Sequence, residues 1–173
     1  MSEQEIAHVM EEMPYGLYII GSNQDGEVNG MMADWVMQVS FNPRLVAVAL
    51  ENDAHTLENI RKTGAFTVNF LPQDHRGMEV AAKFAQPYYD AKVKERNHTA
   101  AVAVHRKLEG IPYAVTADGC PTLEAATAWL ECHAEQFVPT GDHTLVIAHV
   151  ENGKSVLDAE PLTSSYTGWN YSG

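Results

Sequence analysis

Between Glu27 and Leu71, strand-like runs follow one another with only one short helix among them. The run from Leu45 to Leu50 is apolar at every position, which is typical of a central strand buried on both faces. Phe66, Val68 and Phe70 alternate with polar residues, and this period predicts a half-buried strand. Short strands joined by turns, with few helices between them, favour an antiparallel barrel over a doubly wound parallel sheet.

The rest of the chain continues this pattern. Apolar spacing predicts helices over 2–13 and 74–85, and Ser2 with Glu5 predicts a capping box at the start of the first. Strands are predicted over 123–137 and 144–150, and Asn152-Gly153 is typical of a turn that ends the second of them. We therefore expect one mainly β domain over residues 1–173, with a polar and variable excursion near 86–100.

The charge balance of the chain is strongly acidic. There are 11 Lys and Arg residues against 23 Asp and Glu residues, a net charge of −12. Because nucleic acids and anionic membrane surfaces need basic partners, we expect neither as a ligand. The longest apolar run is far shorter than the roughly 20 residues of a membrane helix, and the acidic N-terminus does not resemble a signal peptide. The two cysteines form no C-x-x-C pair, so a cytoplasmic protein is predicted.

Several cofactor and metal motifs are missing from the sequence. It contains no G-x-G-x-x-G, no G-x-x-x-x-G-K-[ST] and no G-x-S-x-G, which argues against a Rossmann site, a P-loop and a hydrolase elbow. The eight histidines form no H-E-x-x-H. Cys132 and His133 are adjacent on a predicted strand and would point to opposite faces, so we expect no metal site.

Two segments place polar residues where strands meet turns. The segment from Glu51 to Thr56 follows the buried strand and opens a helix, where free N–H groups and the positive helix end suit an anion. Asp53 or Thr56 would cap this helix and Gly64 would end it, so helix capping alone is the alternative interpretation. Gly141-Asp142-His143-Thr144 precedes the last long strand, and a hairpin turn with a surface histidine is the alternative there.

Taken in order, these segments resemble the flavin reductase-like family of FMN-binding split barrels. Gly30 to Gln38 corresponds to the family's G-x-[TS]-A-like segment, Ser40 and Pro43 match its V-S-x-x-P pattern, and residues 141–143 match its G-D-H step. The resemblance covers about residues 13–151. It is most similar to the branch that includes the reductase domain of high-molecular-weight rubredoxins.

The resemblance implies a fold, an assembly and a set of site residues. The fold is a six-stranded antiparallel Greek-key barrel with a few peripheral helices, assembled as a homodimer with FMN at or near the subunit boundary. His143 would be catalytic, beside the reacting face of the flavin. The residues implied to bind the cofactor are Met31, Met32, Ala33, Asp34, Trp35, Val36, Gln38, Glu51, Asn52, Asp53, His55 and Thr56. Met32 stands where the family often has Thr, and Trp35 has a core or dimer-interface role as its alternative.

The implied activity is that of an NAD(P)H-dependent flavin reductase. NADH or NADPH would pass hydride to bound FMN, and the electrons would go on to free flavin or to a redox protein such as rubredoxin or an oxygenase. Two alternatives keep the fold: a flavin electron carrier without its own reductase activity, and an oxidase of the pyridoxamine phosphate type. A basic phosphate cluster would favour the oxidase, and Arg44 is the only basic Lys or Arg among the first 60 residues.

Overall fold

The structure is a computed structural model that describes residues 2–85 and 107–169. Within this part of the chain there are nine strands and four helices. The strands are β1 (Tyr18–Gln24), β2 (Glu27–Ala33), β3 (Val36–Phe41), β4 (Arg44–Glu51), β5 (Ala65–Phe70), β6 (Tyr113–Val115), β7 (Pro121–Leu123), β8 (Ala128–Thr140) and β9 (His143–Ser155). The helices are α1 (Glu3–Met10), α2 (His55–Thr63), α3 (His75–Phe84) and α4 (Ser164–Thr167).

Seven of the strands form one antiparallel sheet in the order β2-β1-β5-β8-β9-β4-β3, and β6 pairs with β7 separately. The expected mainly β fold is confirmed, with one more strand in the main sheet than the six expected. β2 lies against β4, so the sheet curls back on itself. In the described part of the chain its end strands, β2 and β3, are not hydrogen-bonded to each other, which leaves the barrel split.

Two apolar clusters pack against the curled sheet. The first lies between the inner face of the sheet and α2 and includes Ile20, Ile60 and Phe66. The second lies beneath α3 and includes Ile19 and Phe84. Because the consecutive residues Ile19 and Ile20 belong to different clusters, β1 is buried on both faces.

β5 is buried on both faces as well, so the prediction of a half-buried strand is wrong. Its residues from Ala65 to Asn69 are all buried. Asn69 donates from Nδ2 to the Ile19 carbonyl, and its Oδ1 accepts from the Leu123 N–H at 2.8 Å. The polar positions of the alternating pattern therefore bond to neighbouring strands instead of facing water.

Two predicted boundaries near the hairpin formed by β8 and β9 are also wrong. The predicted strand over 123–137 is two strands, because β7 ends at Leu123 and β8 begins at Ala128. The Asn152-Gly153 turn is part of β9, where Gly153 lies opposite Leu130 of β8. A Cβ atom on Gly153 would lie 2.8 Å from Leu130 Cδ2, so the glycine permits close approach of the strands.

The N-terminal helix α1 begins with a capping box between Ser2 and Glu5 and is shorter than predicted. None of its residues is buried, and Ile6, Val9 and Met10 lie on the surface. Across residues 2–85 and 107–169, no helix has the length and apolarity needed to cross a membrane. The predicted excursion near 86–100 lies outside the described residues, as do residues 170–173.

Candidate functional site

The 141–144 turn is attached to the end of β4 by Asn52. The Asn52 N–H donates to the Asp142 carbonyl at 2.9 Å, and Nδ2 donates to the Gly141 carbonyl at 2.9 Å. Oδ1 accepts from Thr144 Oγ1 at 2.8 Å. Both polar atoms of this side chain therefore bond to the turn, across 89 to 92 residues of sequence.

His143 is held in a buried position within this turn. The residue is only 9% exposed, and it lies opposite Glu51 in the pairing of β4 with β9. Its Nδ1 is 2.7 Å from Asp142 Oδ1, and its ring centroid is 4.8 Å from that of Trp35 at an angle of 43°. The hydrogen bond to His143 lowers the pKa of the Asp142 carboxyl. The imidazole is thus oriented by a carboxylate on one ring nitrogen and an indole on one face.

The tight turn at Asp34 and Trp35, which connects β2 to β3, lies beside the His143 ring. The Val36 N–H donates to the Asp34 carbonyl and the Ala49 N–H donates to the Trp35 carbonyl, both at 3.0 Å. Burial raises the pKa of the Asp34 carboxyl, and the charge of His143 is a smaller influence that lowers it. The structure therefore brings together predicted residues from three segments: Asp34 with Trp35, Asn52, and His143.

The start of α2 has no side-chain cap among the described residues. Its N-cap is Ala54, so the predicted caps Asp53 and Thr56 are wrong, because Asp53 precedes the N-cap and Thr56 lies in the first turn. Thr56 is buried, and its Oγ1 accepts from Asn29 Nδ2 at 3.3 Å. The predicted C-terminal Gly64 is confirmed, with φ of 77°. The first-turn N–H groups of α2 therefore keep the anion-binding character of an uncapped helix start.

A buried lysine lies beside β2. Lys107 is 5% exposed, and its Nζ donates to the carbonyls of Gly30 at 3.3 Å and Phe84 at 3.5 Å. Desolvation lowers the pKa of Lys107 to about 8. Burial also lowers the pKa of His55 at the start of α2, and the charge of Lys107 adds to that effect. Within residues 2–85 and 107–169 no carboxylate pairs with Lys107, so a positive charge is buried between β2 and α3.

The other residues of β2 and β3 that were predicted to bind flavin pack in different parts of the molecule. Met31 and Val36 pack against the first apolar cluster, to which the buried Ala33 belongs, whereas Met32 packs against the second. Gln38 Nε2 donates to a backbone carbonyl two residues further along β3, at 3.2 Å. These side chains therefore pack in two different apolar clusters and do not come together at one place.

Sequence reasoning missed Asn29 and Lys107. The Asn29-Gly30 pair is a common turn signal, yet it lies inside β2 with Gly30 buried. Lys107 is 77 residues from Gly30 in the sequence and belongs to no motif. Lysine is usually a surface residue, and no sequence signal marks one that the fold buries beside a distant strand.

Metal and thiol chemistry have little support in the described residues. No group of three or more His, Cys, Asp or Glu side chains among them is arranged to hold a metal ion. Cys120 and Cys132 are buried, and burial raises the pKa of both thiols to about 12. Neither cysteine is therefore a thiolate near neutral pH.

Comparison with known proteins identifies a family for most of the chain. The model of the flavin reductase like domain matches residues 10–169. Diflavin flavoprotein A 1 of Synechocystis sp. is 33% identical over 153 residues, which are 86% of this chain and 23% of that protein. The high molecular weight rubredoxin of Moorella thermoacetica is 28% identical, covering 91% of this chain and 63% of that protein. The chain thus spans less than two thirds of either relative.

Solved structures share the fold over nearly the whole chain. Flavin reductase PheA2 superposes with a TM-score of 0.72 at 27% identity, covering 94% of this chain and 93% of its own. Flavin reductase HpaC, solved with NADP+, superposes with a TM-score of 0.75 at 24% identity, covering 94% and 92%. The split barrel of this chain is therefore the fold of those reductases.

Proposed function

The chain belongs to the flavin reductase-like family, as its sequence resemblance predicted, and we propose that it is an NAD(P)H-dependent flavin reductase with bound FMN. FMN is favoured over FAD because the helix-start site suits one phosphate and the sequence has no dinucleotide fingerprint. NADH or NADPH would supply the electrons, and free flavin or a redox protein would receive them.

The observation that carries the proposal is the buried charge of Lys107 beside β2. A buried cation is costly unless an opposite charge or several acceptors surround it, and the described residues provide two carbonyl oxygens. A phosphate group would supply the opposite charge. The first-turn N–H groups of α2 would donate to the same anion, since the positive helix end favours it.

Thr56 and His55 complete the proposed phosphate site. Because Thr56 Oγ1 accepts from Asn29, the hydroxyl proton is directed to a different acceptor, and a phosphate oxygen fits that role. His55 lies in the same first turn of α2. These residues fit the phosphate of FMN. When bound, FMN supplies a ring that takes hydride from reduced nicotinamide and returns the electrons to an acceptor.

His143 is proposed to orient the reacting groups. Asp142 Oδ1 lies 2.7 Å from Nδ1 and fixes the orientation of the ring. Trp35 limits rotation of the imidazole from one face. A histidine in this setting donates a hydrogen bond at the atom it faces. The backbone of the 31–36 segment, with the Asp34-Trp35 turn, would line the ring.

The relatives support a redox protein, in addition to free flavin, as the acceptor of the electrons. Both diflavin flavoprotein A 1 and the Moorella rubredoxin contain more chain than this domain covers. The second of these relatives is named a rubredoxin, which is a redox protein. We therefore assign this chain a redox protein, such as a rubredoxin, as its acceptor class.

An apolar stripe on β3 supports a homodimer. Trp35 just before this end strand, and Met37, Val39 and Phe41 within it, are all exposed, Phe41 to 86%. A β-bulge between Gln38 and Ser40 turns these side chains to more than one face of the strand. Exposed apolar residues gathered in one region mark an interaction surface. Because Trp35 also contacts His143, this stripe continues into the proposed site, and a second copy of the chain covering it would close that site.

Replacing two residues of the stripe tests the dimer. The double change Met37→Glu and Phe41→Glu should give a monomer in light scattering at micromolar concentration, while wild type gives twice that mass. Val156→Glu, which changes another exposed apolar residue outside the stripe, should leave the dimer intact. A wild-type monomer, or an unchanged mass for the double variant, contradicts this assembly.

The activity itself is tested with the purified protein. The absorbance spectrum should show bound flavin, and chromatography of the heat-released cofactor should identify FMN. Anaerobic mixing with NADH and with NADPH should bleach the flavin with at least one of them. Bound flavin that neither nicotinamide bleaches indicates an electron carrier. A colourless protein that FMN cannot reconstitute contradicts the proposal.

A further inference from the structure

We propose that Asn52 is a positioning residue that fixes the His143 turn, and that it does not contact the flavin; this inference rests on the proposed function of the site. Its side chain bonds the loop after β4 to the turn at 141–144, and these two segments are 89 to 92 residues apart in the sequence. The turn contains the one histidine that the proposed chemistry uses, so its geometry determines where that imidazole lies.

All three hydrogen-bonding groups of Asn52 that face the hairpin are used within it. The backbone N–H and Nδ2 bond consecutive carbonyls, Asp142 and Gly141, and Oδ1 accepts from the Thr144 hydroxyl. The two ends of the turn are therefore held on either side of His143. With the amide nitrogen and oxygen both bonded to the turn at 2.8–2.9 Å, the side chain is oriented toward the hairpin.

This clamp is anchored to α2 through Thr144. Arg61 of α2 donates from Nη2 to Thr144 Oγ1 at 3.2 Å, while the same hydroxyl donates to Asn52 Oδ1. The Arg61 guanidinium also lies 4.7 Å from the centroid of the Phe137 ring on β8. A cation over an aromatic face restrains both groups. The helix, the β4–α2 loop and the β8–β9 hairpin are thus connected around one threonine hydroxyl.

The consequence is a division of tasks between neighbouring residues of one loop. His55 and Thr56 belong to the proposed phosphate site, whereas Asn52 acts on the catalytic histidine through the turn. Displacement of a reacting group by about 1 Å can slow a reaction by as much as 100-fold. Loss of the clamp is therefore expected to slow hydride transfer without weakening FMN binding.

The test compares Asn52→Ala with Asn23→Ala. Asn23 makes the same kind of bond, from Nδ2 to the Asp118 carbonyl, outside this hairpin. In stopped-flow mixing with NADH, Asn52→Ala should reduce its flavin at least about tenfold more slowly, with an FMN dissociation constant within about threefold of wild type. Asn23→Ala should keep the wild-type rate. Thr144→Val, which removes one of the three bonds, should slow reduction less than Asn52→Ala.

A double variant with His143→Ala decides whether Asn52 acts through the histidine. If it does, Asn52→Ala together with His143→Ala should be no slower than His143→Ala alone. Additive losses, or a large loss of FMN affinity in Asn52→Ala, overturn the inference. The His143 ring signals in NMR spectra of the flavin-free protein supply a readout independent of activity. They should shift in Asn52→Ala and not in Asn23→Ala, and unchanged signals overturn the positioning role even if the protein proves not to be a flavin reductase.

Discussion

The two halves of the candidate site are held in different ways. In the half formed by β2 and the start of α2, polar contacts are long, at 3.3–3.5 Å: Asn29 bonds Thr56, and the buried Lys107 bonds the Gly30 and Phe84 carbonyls. At the His143 turn, the contacts of Asn52 and the His143 ring are shorter, at 2.7–2.9 Å, and both polar atoms of the Asn52 side chain are bonded. Charge dominates the first region, and defined geometry dominates the second.

This difference indicates what each region contributes to function. An electrostatic site attracts an anion and tolerates small shifts in position, because charge interactions fall slowly with distance. A hydrogen-bonded turn fixes direction, which matters for a group that acts on a reacting atom. We therefore expect changes at the helix start to alter FMN affinity, and changes at the turn to alter the rate of flavin reduction.

The largest effect is expected for His143→Ala. Flavin reduction by NAD(P)H should slow by about 100-fold or more, because an orienting or proton-donating group is lost, while FMN stays bound. His149→Ala, a histidine on the same strand, is the matched control and should keep the wild-type rate. Stopped-flow absorbance measures both. An unchanged rate for His143→Ala across pH 6 to 8 would leave this histidine as a turn residue.

Lys107→Met should produce the next largest effect, on affinity and not on rate. Loss of a charge-assisted bond costs roughly 1.5–3 kcal/mol, so FMN should bind about 10- to 100-fold more weakly. Riboflavin, which lacks the phosphate, should bind as tightly as to wild type. Lys154→Met changes an exposed lysine and serves as the control.

The fluorescence of each flavin measures these dissociation constants. Replacing a buried charge by an apolar side chain does not lower stability by itself. The midpoint temperature of thermal unfolding of Lys107→Met should therefore not fall below that of wild type. Equal losses for FMN and riboflavin would show that Lys107 supports the fold of the site and does not contact the phosphate.

Thr56→Ala should weaken FMN binding by a smaller amount. The expected loss is roughly 1–2 kcal/mol, because one hydroxyl donor to the phosphate disappears while Lys107 and the helix N–H groups remain. Thr127→Ala removes another buried hydroxyl, which bonds the Phe70 carbonyl outside the site, and should leave FMN affinity unchanged. If both variants bind FMN equally well, the Thr56 hydroxyl serves only its bond with Asn29.

The pH dependence of FMN affinity gives the finest distinction between the two regions. Burial lowers the Lys107 pKa from 10.5 to about 8, so the ammonium is lost as the pH rises through about 8. FMN affinity should then fall by up to about tenfold per pH unit above that value, and riboflavin affinity should not. In Lys107→Arg the side chain stays charged over this pH range. The affinity for FMN, like that for riboflavin, should then not fall as the pH rises.

The same shift has a defined sign for stability. Between about pH 8 and 10.5 the unfolded chain binds the Lys107 proton and the folded protein does not. The free energy of unfolding therefore receives a contribution from Lys107 that increases with pH in this window. Chemical denaturation at several pH values, with Lys107→Met as the reference, measures that contribution.

Local patterns predicted much of the fold. The apolar run over 45–50 is β4, and the alternating residues of 66–70 lie in β5. The Ser2–Glu5 capping box and the Gly64 helix end were also predicted correctly. These features depend on neighbours one to four residues apart, so the sequence shows them directly.

Predictions about burial and about contacts between distant segments were less successful. β5 has the expected period but no exposed face, and Gly153 permits strand contact where a turn was predicted. In the site, Asn52 was predicted to bind the cofactor, and the structure shows its hydrogen bonds running to the turn at 141–144. Each of these outcomes depends on which distant strand lies alongside, and alternation alone does not specify that partner.

The sequence by itself determined the family, the mainly β fold and the two segments that carry polar residues at strand ends. Only the tertiary structure decided how those segments meet. It buried Lys107 against Gly30, 77 residues away, and it joined Asn52 to a turn about 90 residues further on. The physical reason is that period and capping are local, whereas charge burial and cross-strand hydrogen bonds are set by the curl of the sheet.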